Sequence, residues 1–323
     1  MRSHRGATYD QLMKHMRSSG IEISGSLQKR QLLLSGYYHG YKGCRYCKDP
    51  KIKIPFHSFS QVQDVIDFDE GIKSCLYSPV LQFETALKSI VSDIVIKEAG
   101  SDSFSDIIER LMHSSLHSDQ SSFIKRKYEM RDEIYSYVTK SYKRGNIVKH
   151  YYDRDVYVPI WAIFEVITLG QFGLFVDLLD PQIKLIISNE LGIPVKFNAD
   201  GKLLSSIVFM ITDLRNAIAH NSVVFDCRFK GNRKIDQTLS VWLTKETNIE
   251  QIHFLSITDY IILICTLMKL LKFRKSPLYS LTRRICALDE KLFTSVGSKI
   301  YMQIFSTDTR KKHLALDHYL HAR

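Results

Sequence analysis

The run Asp213-Leu214-Arg215-Asn216-Ala217-Ile218-Ala219-His220-Asn221-Ser222 closes a long apolar-periodic stretch with residue types suited to work on a phosphodiester. Arg215 offers a planar cationic fork that matches phosphate oxygens. His220 carries a side chain that gains or loses a proton near neutral pH. Together they suit RNA cleavage without a metal. The imidazole would take the 2′-hydroxyl proton, that oxygen would attack the adjacent phosphorus, and the guanidinium would stabilise the charge that gathers there. On an ideal helix Asp213, Asn216 and His220 share one face at i, i+3 and i+7, whereas Arg215 and His220 diverge by about 140°. The two meet around one anion only if the helix loosens near His220-Asn221 or a second chain completes the site. The plain alternative is a surface ion pair or a C-terminal cap.

Other residues invite chemistry as well. Glu165 lies in the apolar run Pro159-Ile160-Trp161-Ala162-Ile163-Phe164-Glu165-Val166-Ile167-Thr168-Leu169, where a carboxylate needs a partner or a task. A structural pairing with Arg215 is the favoured reading, ahead of a shift in the histidine's proton affinity. Cys44 and Cys47, with His39 and His57 nearby, are of the types that hold zinc. A single Cys-x-x-Cys without a second such pair reads more simply as a reduced surface loop, so no metal or other cofactor is expected. Lys125-Arg126-Lys127 beside Tyr128, Arg283-Arg284 and Arg310-Lys311-Lys312-His313 are basic clusters expected on exposed helices. Such clusters are solvated faces by default, but they become backbone contacts if the substrate is RNA, with Tyr128, Tyr142, Tyr151 and Tyr152 able to stack on bases. Arg144 and His150 form a second Arg–His pair, in a glycine-containing, loop-like setting.

The elements that must position these groups read as helical almost throughout. Apolar residues at helical spacing run from Tyr9 to a stop at Gly20, and a second short helix covers residues 26–35. The aromatic segment Tyr37-Tyr38-His39-Gly40-Tyr41 and the Cys-x-x-Cys loop follow. A long helical stretch starts at Ser58, with Pro79 expected to begin a new helix that ends at Gly100. Residues 118–144 read as an exposed amphipathic helix or helix pair. The apolar run from Pro159 is expected to break at Gly170 and Gly173, and further helices cover 181–191, 202–219 and 258–272. Residues 223–243 carry the one β-like pattern, a possible hairpin. Helices from Leu278 to Phe293 and in the polar tail close the chain. The fold expected is all-α, with an N-terminal helical region at 1–57, a core at 58–273 and a C-terminal helical tail at 274–323.

Composition bounds the function classes. The chain has 323 residues, 45% hydrophobic and 24% charged, with 15 Gly and 7 Pro, which excludes collagen-like, disordered and low-complexity classes. Six scattered cysteines are too few for a secreted disulfide scaffold. The start Met1-Arg2-Ser3-His4-Arg5-Gly6 lacks the apolar core of a signal peptide, and the apolar run from Tyr260 to Leu271 is too short to span a bilayer. The expected setting is cytoplasmic, with no membrane partner. A net charge of +11 favours a polyanionic partner, nucleic acid ahead of membrane.

Arg215-Asn216-Ala217-Ile218-Ala219-His220-Asn221 resembles the Arg-Asn-x-x-Ala-His signature of the HEPN superfamily. The surrounding sequence resembles the Abi-like (abortive infection) family of bacterial phage-defence proteins. Similar blocks are Ser19-Gly20-Ile21-Glu22-Ile23, Leu34-Ser35-Gly36-Tyr37-Tyr38, Phe83-Glu84-Thr85-Ala86-Leu87-Lys88, and Pro159-Ile160-Trp161 through Gly170. The likeness covers residues 9–228. It departs at His39, where that family carries Arg, and at Ser222-Val223, where a Ser-Arg pair is common. What the resemblance implies is a HEPN-type helical bundle with added terminal helices, and a metal-independent endoribonuclease in which two motifs of a homodimer make the site. Arg215 and His220 would be catalytic and Asn216 would orient His220 or the phosphate, supported by Asp213, Glu165 and Asn221. The partners it implies are RNA, a second copy of the chain, and an antitoxin or phage trigger in a bacterial cytoplasm. The rival reading is a non-catalytic module that binds RNA or protein and signals by assembly.

Overall fold

The computed structural model describes residues 8–116, 118–143, 147–198, 200–231 and 234–322. Among these are fourteen α-helices and no β-strand, so the fold is all-α. In chain order the first seven are α1 (Tyr9–Ser18), α2 (Gly25–Ser35), α3 (Phe59–Ala99), α4 (Phe104–Leu111), α5 (Gln120–Tyr142), α6 (Ile147–Tyr152) and α7 (Ile160–Val166). The rest are α8 (Leu169–Leu178), α9 (Pro181–Glu190), α10 (Lys202–Ala219), α11 (Gln237–Thr247), α12 (Ile257–Leu270), α13 (Lys275–Ile304) and α14 (Thr309–His321). A π-helical turn, Tyr37–Lys42, follows α2 directly. No helix is long and apolar enough to cross a membrane among the described residues.

The chain divides into two compact units, each assembled from separated segments. One holds the described residues within 1–79, 214–233 and 243–323, the other those within 80–213 and 234–242.

In the first unit, α12 is buried on every side from Ile257 to Met268, as a helix that is apolar all round must be. Phe254 and Phe229 meet Tyr260 edge-on, with ring centroids 5.3 and 5.1 Å away. Charges inside this core are paired. Lys312 is buried and reaches Asp259 at 2.9 Å and Asp308 at 3.1 Å. Asp259 also accepts the backbone N–H groups of His253 and Phe254. The cluster Arg310-Lys311-Lys312-His313 is therefore not the exposed basic face expected. Lys312 and His313 are 6% and 5% exposed, because α14 packs on α12 and α13 through that side. In the second unit, Phe164 packs edge-on against Phe172 and Phe175 at 5.0 and 5.2 Å, and Phe104 joins Phe175 at 6.2 Å.

Three local expectations are corrected. Pro79 does not start a helix but lies inside the 41-residue α3. A proline there removes a donor and costs about 3 kcal/mol. Full burial of Leu76 and Phe83 and near-full burial of Val80 on either side keep the helix continuous. The break after Pro159 falls at Ile167-Thr168, not at the glycines. Thr168 forms a capping box with Gln171, accepting from its N–H at 3.2 Å while the Gln171 side chain accepts from the Thr168 N–H at 2.9 Å. That reciprocal cap starts α8 ahead of Gly170 and Gly173. Among the described residues of 223–243 there is no hairpin. The N–H groups of Val224 and Phe225 are taken by a side chain on α3, Cys227 turns left-handed at φ 57°, and a short 3₁₀ turn and α11 follow.

Burial holds the His313 imidazole below its ordinary 6.5, Asp289 opposing and Lys312 adding to the shift. The unfolded chain thus binds the extra proton first, and stability contributed by neutral His313 is lost as pH falls below about 6.5. Urea midpoints compared at about pH 8 and about pH 5 should show this loss, and His313→Gln should make the midpoint less sensitive to pH over that range.

Candidate active site

The motif occupies the C-terminal end of α10, and that end is closed in a defined way. The Ser222 N–H donates to the Ala217 carbonyl at 2.8 Å, and the Asn221 N–H to Ile218 at 3.2 Å. Asn221 itself sits left-handed at φ 52°. This is a Schellman ending with asparagine in the position glycine usually takes, and it makes His220 the cap residue. Asn216 connects Arg215 and His220. Its side-chain oxygen accepts from the Arg215 guanidinium at 3.2 Å, and its carbonyl accepts the His220 N–H at 2.9 Å. The helical hydrogen bonding therefore persists to the amide of His220, and loosening begins only at Asn221. Arg215 and Asn216 are half-buried, while His220 and Asn221 are exposed. Among the described residues the His220 ring has no hydrogen-bond partner.

The turn after the motif is pinned from α3. Asp69 is 2% exposed, and one of its oxygens accepts the N–H groups of both Val224 (2.8 Å) and Phe225 (2.9 Å). Its other oxygen meets the Lys73 ammonium at 3.0 Å. Lys73 reaches on to the Asn221 side-chain oxygen at 2.5 Å. Burial pushes the Asp69 carboxyl up, and Lys73 with the two backbone donors opposes that shift. Asp69 and Lys73 line a narrow crevice together with Glu70, Asn221 and, from the π-helical turn, His39 and Gly40.

The Cys-x-x-Cys loop is built into the same frame. Arg228 donates to the carbonyls of Gly43 and Tyr46, both at 2.8 Å, and its guanidinium lies 4.1 Å from the centre of the Tyr46 ring. Asp226, buried, pairs with Arg228 at 2.6 Å and accepts the Lys48 N–H at 2.6 Å. Cys44 and Cys47 are buried at 2% and 5% exposure, not members of a surface loop. Burial raises both thiols, Cys47 up to about 11. No group of three or more His, Cys, Asp and Glu side chains suited to a metal ion occurs among the described residues, His39 and His57 included. The Arg228 bonds fasten this loop.

The remaining candidates fall elsewhere. Asp213 is half-buried and belongs to the second unit, as do Glu165 and the basic cluster on α5. Glu165 is exposed: on α7 the residues Ile160, Ala162, Ile163 and Phe164 turn inward, which leaves Trp161 and Glu165, four apart, facing out. The premise of a buried carboxylate in need of Arg215 is overturned. On α5, Arg126 is ion-paired with Asp177, Lys127 donates to the Met112 carbonyl at 2.7 Å, and Lys125 faces Glu129 at 3.8 Å. Tyr128 is exposed beneath the Arg131 guanidinium. Of that cluster, Arg126 and Lys127 are already engaged within their unit. His150 contacts Arg154, and Arg144 lies outside the described residues.

Sequence reading missed Asp69, Lys73, Asp226 and Arg228. The available signals were the Asp-x3-Lys spacing on an otherwise apolar face of α3 and the charged pair embedded in Phe225-Asp226-Cys227-Arg228. Replacing Lys73 by Met leaves Asp69 buried without its cation, which should lower stability by about 3 kcal/mol in a urea titration. Hydrogen exchange at the Val224 and Phe225 amides should speed up in the same variant.

A family model described as Abi-like protein matches residues 31–226, more than half of the 323 residues. The matched span contains α3, the motif at the end of α10 and the buried carboxylate that pins it. No curated protein and no solved structure matched. With well over half of its length matched, this chain belongs to the Abi-like protein family.

Proposed function

We propose that the protein is a metal-independent endoribonuclease of the HEPN type, acting in bacterial abortive-infection defence. The observation that carries this reading is Asn216 joining the Arg215 guanidinium to the His220 amide at the rigid end of α10, with the imidazole exposed. A cation and an accessible base brought to one phosphate, here from two copies of the motif, are what transesterification of RNA requires. The imidazole takes the proton from a ribose 2′-hydroxyl. The 2′-oxygen then bonds to phosphorus as the bond to the 5′-oxygen breaks, leaving a 2′,3′-cyclic phosphate. The departing 5′-oxygen takes up a proton and leaves as a free hydroxyl. Arg215 balances the charge that gathers on the non-bridging oxygens. Membership of the Abi-like family supports the defence role.

With helical bonding maintained to His220, Arg215 and His220 stay well apart around the α10 axis. A homodimer relieves that geometry, because the exposed end of α10 in one copy can face the same end in the other. One imidazole then serves as base and its counterpart as acid. The partners in this reading are RNA and a second copy of the chain, in the cytoplasm. A phage-derived trigger or an antitoxin would set when the activity is released.

Total RNA incubated with the purified protein and a chelator should yield fragments ending in cyclic phosphate and 5′-hydroxyl. His220→Ala and Arg215→Ala should each slow this at least about 100-fold. His220 is exposed, so its loss should leave the urea midpoint nearly unchanged. Undiminished cleavage by His220→Ala would overturn the proposal. Binding of RNA by the wild type with no cleavage would favour a non-catalytic RNA-binding module.

A further inference from the structure

A second opening in the first unit differs sharply from the crevice beside the motif. The crevice is narrow and walled by two carboxylates, Asp69 and Glu70. The second opening is a groove of about 390 Å³, within the range of small-molecule sites. His15, Arg45 and Lys53 line it, and no Asp or Glu does. Its floor is apolar and aromatic: Tyr41, Ile54 and Phe56 are 3%, 5% and 5% exposed. Cations along the rim of a groove with no acidic group among them match a strand of phosphates.

The groove is held open by bonds already present. The Ile54 N–H donates to the Arg45 carbonyl, and the Cys47 N–H to the Ile52 carbonyl, both at 3.0 Å. Tyr46 and Lys53 pair as an isolated antiparallel bridge. Arg45 therefore stands opposite Ile54, and Tyr46 opposite Lys53, in one miniature ladder, with the Arg45 guanidinium 5.9 Å from the Tyr41 ring centre. No described carboxylate forms an ion pair with Arg45 or Lys53. Arg228 ties this ladder, through Tyr46, to the segment that follows the motif.

The groove also adjoins the motif along the chain. His39, Gly40 and Cys44 line the crevice that contains Asn221, while Tyr41 and Arg45 of the same short run line the groove. The π-helical turn thus contributes to the lining of both openings, and π-turns of this kind recur at functional sites.

We propose that this groove is a binding site for single-stranded RNA, with Arg45, Lys53 and His15 on the phosphates. The proposal takes from the ribonuclease reading only the identity of the strand. Its test is binding without cleavage, so the two stand or fall separately.

The experiment uses the full chain carrying His220→Ala and a fluorescently labelled oligouridine, with affinity read by anisotropy across a salt series. Adding Arg45→Gln and Lys53→Gln together should weaken binding roughly tenfold or more and flatten the plot of log K against log salt by about 1.4, as expected for two lost single-strand phosphate contacts. Lys53→Gln alone, at an exposed side chain, should give about half that change in slope and guards against a fold defect at Arg45. Lys299→Gln, exposed on α13, should leave both affinity and slope as they were. Unchanged binding in the groove variants would overturn the proposal. So would an equal loss in Lys299→Gln, or a duplex of the same length binding as tightly as the single strand. If these variants behave as expected while the wild type cuts no RNA, the groove stands and the nuclease reading falls.

Discussion

A single buried carboxylate governs the end of the motif helix. Asp69 has almost no exposure, and a charge in that position is tolerable only if every lone pair finds a donor. It finds three: the backbone N–H groups of Val224 and Phe225, and the Lys73 ammonium. These donors come from the chain immediately past the motif and from one turn further along α3. The cost of leaving the carboxylate short of any of them holds the segment after His220 in one place. Lys73 extends the constraint to Asn221, whose left-handed backbone ends α10. The exposed imidazole thus stands on a rigid base, which is how a catalytic group is kept near its working geometry.

The same logic extends outward through Asp226 and Arg228. A fully enclosed aspartate is neutralised by an arginine, and that arginine spends its remaining donors on the carbonyls of Gly43 and Tyr46. A loop with two cysteines, which invites a metal in a linear reading, is instead fastened by a guanidinium. The fork geometry makes this possible: a lysine could not satisfy two carbonyls and a carboxylate while lying over an aromatic ring. The loop, the π-helical turn and the end of α10 thereby share one frame. The crevice at Asn221 and the cationic groove at Arg45 are both lined from the same run of only a few residues.

Much of this was legible in the sequence. The extents of α9, α10 and α12 follow from apolar residues at helical spacing, bounded by Pro181, Gly192 and Gly201 and by polar flanks. The Arg215 to His220 run is weak by residue type alone and stands out through its likeness to a family motif, within the span 31–226 that the Abi-like family model matches. The errors have particular causes. Pro79 is a helix breaker in isolation, but burial on both sides of it outweighs one missing hydrogen bond. Glu165 looks buried in a list of apolar neighbours, yet a helix turns every fourth or fifth side chain outward. The β-like pattern at 223–243 reflects side-chain propensity, which cannot register that the backbone donors of Val224 and Phe225 are claimed by a carboxylate more than a hundred residues earlier.

Periodicity and residue type, which are local, determined by themselves that this chain is helical, that α10 ends with an arginine and a histidine five positions apart, and that its net charge is +11. Only the tertiary structure decided which charges are spent and which remain available. Lys312 disappears into a core pair with Asp259, and Arg126 is matched by Asp177, whereas Arg45 and Lys53 face a groove without a carboxylate among the residues lining it. The physical reason is that a charge's availability depends on neighbours brought together by folding across long separations. Spacing along one helix can say where a side chain points. It cannot say what will be waiting there.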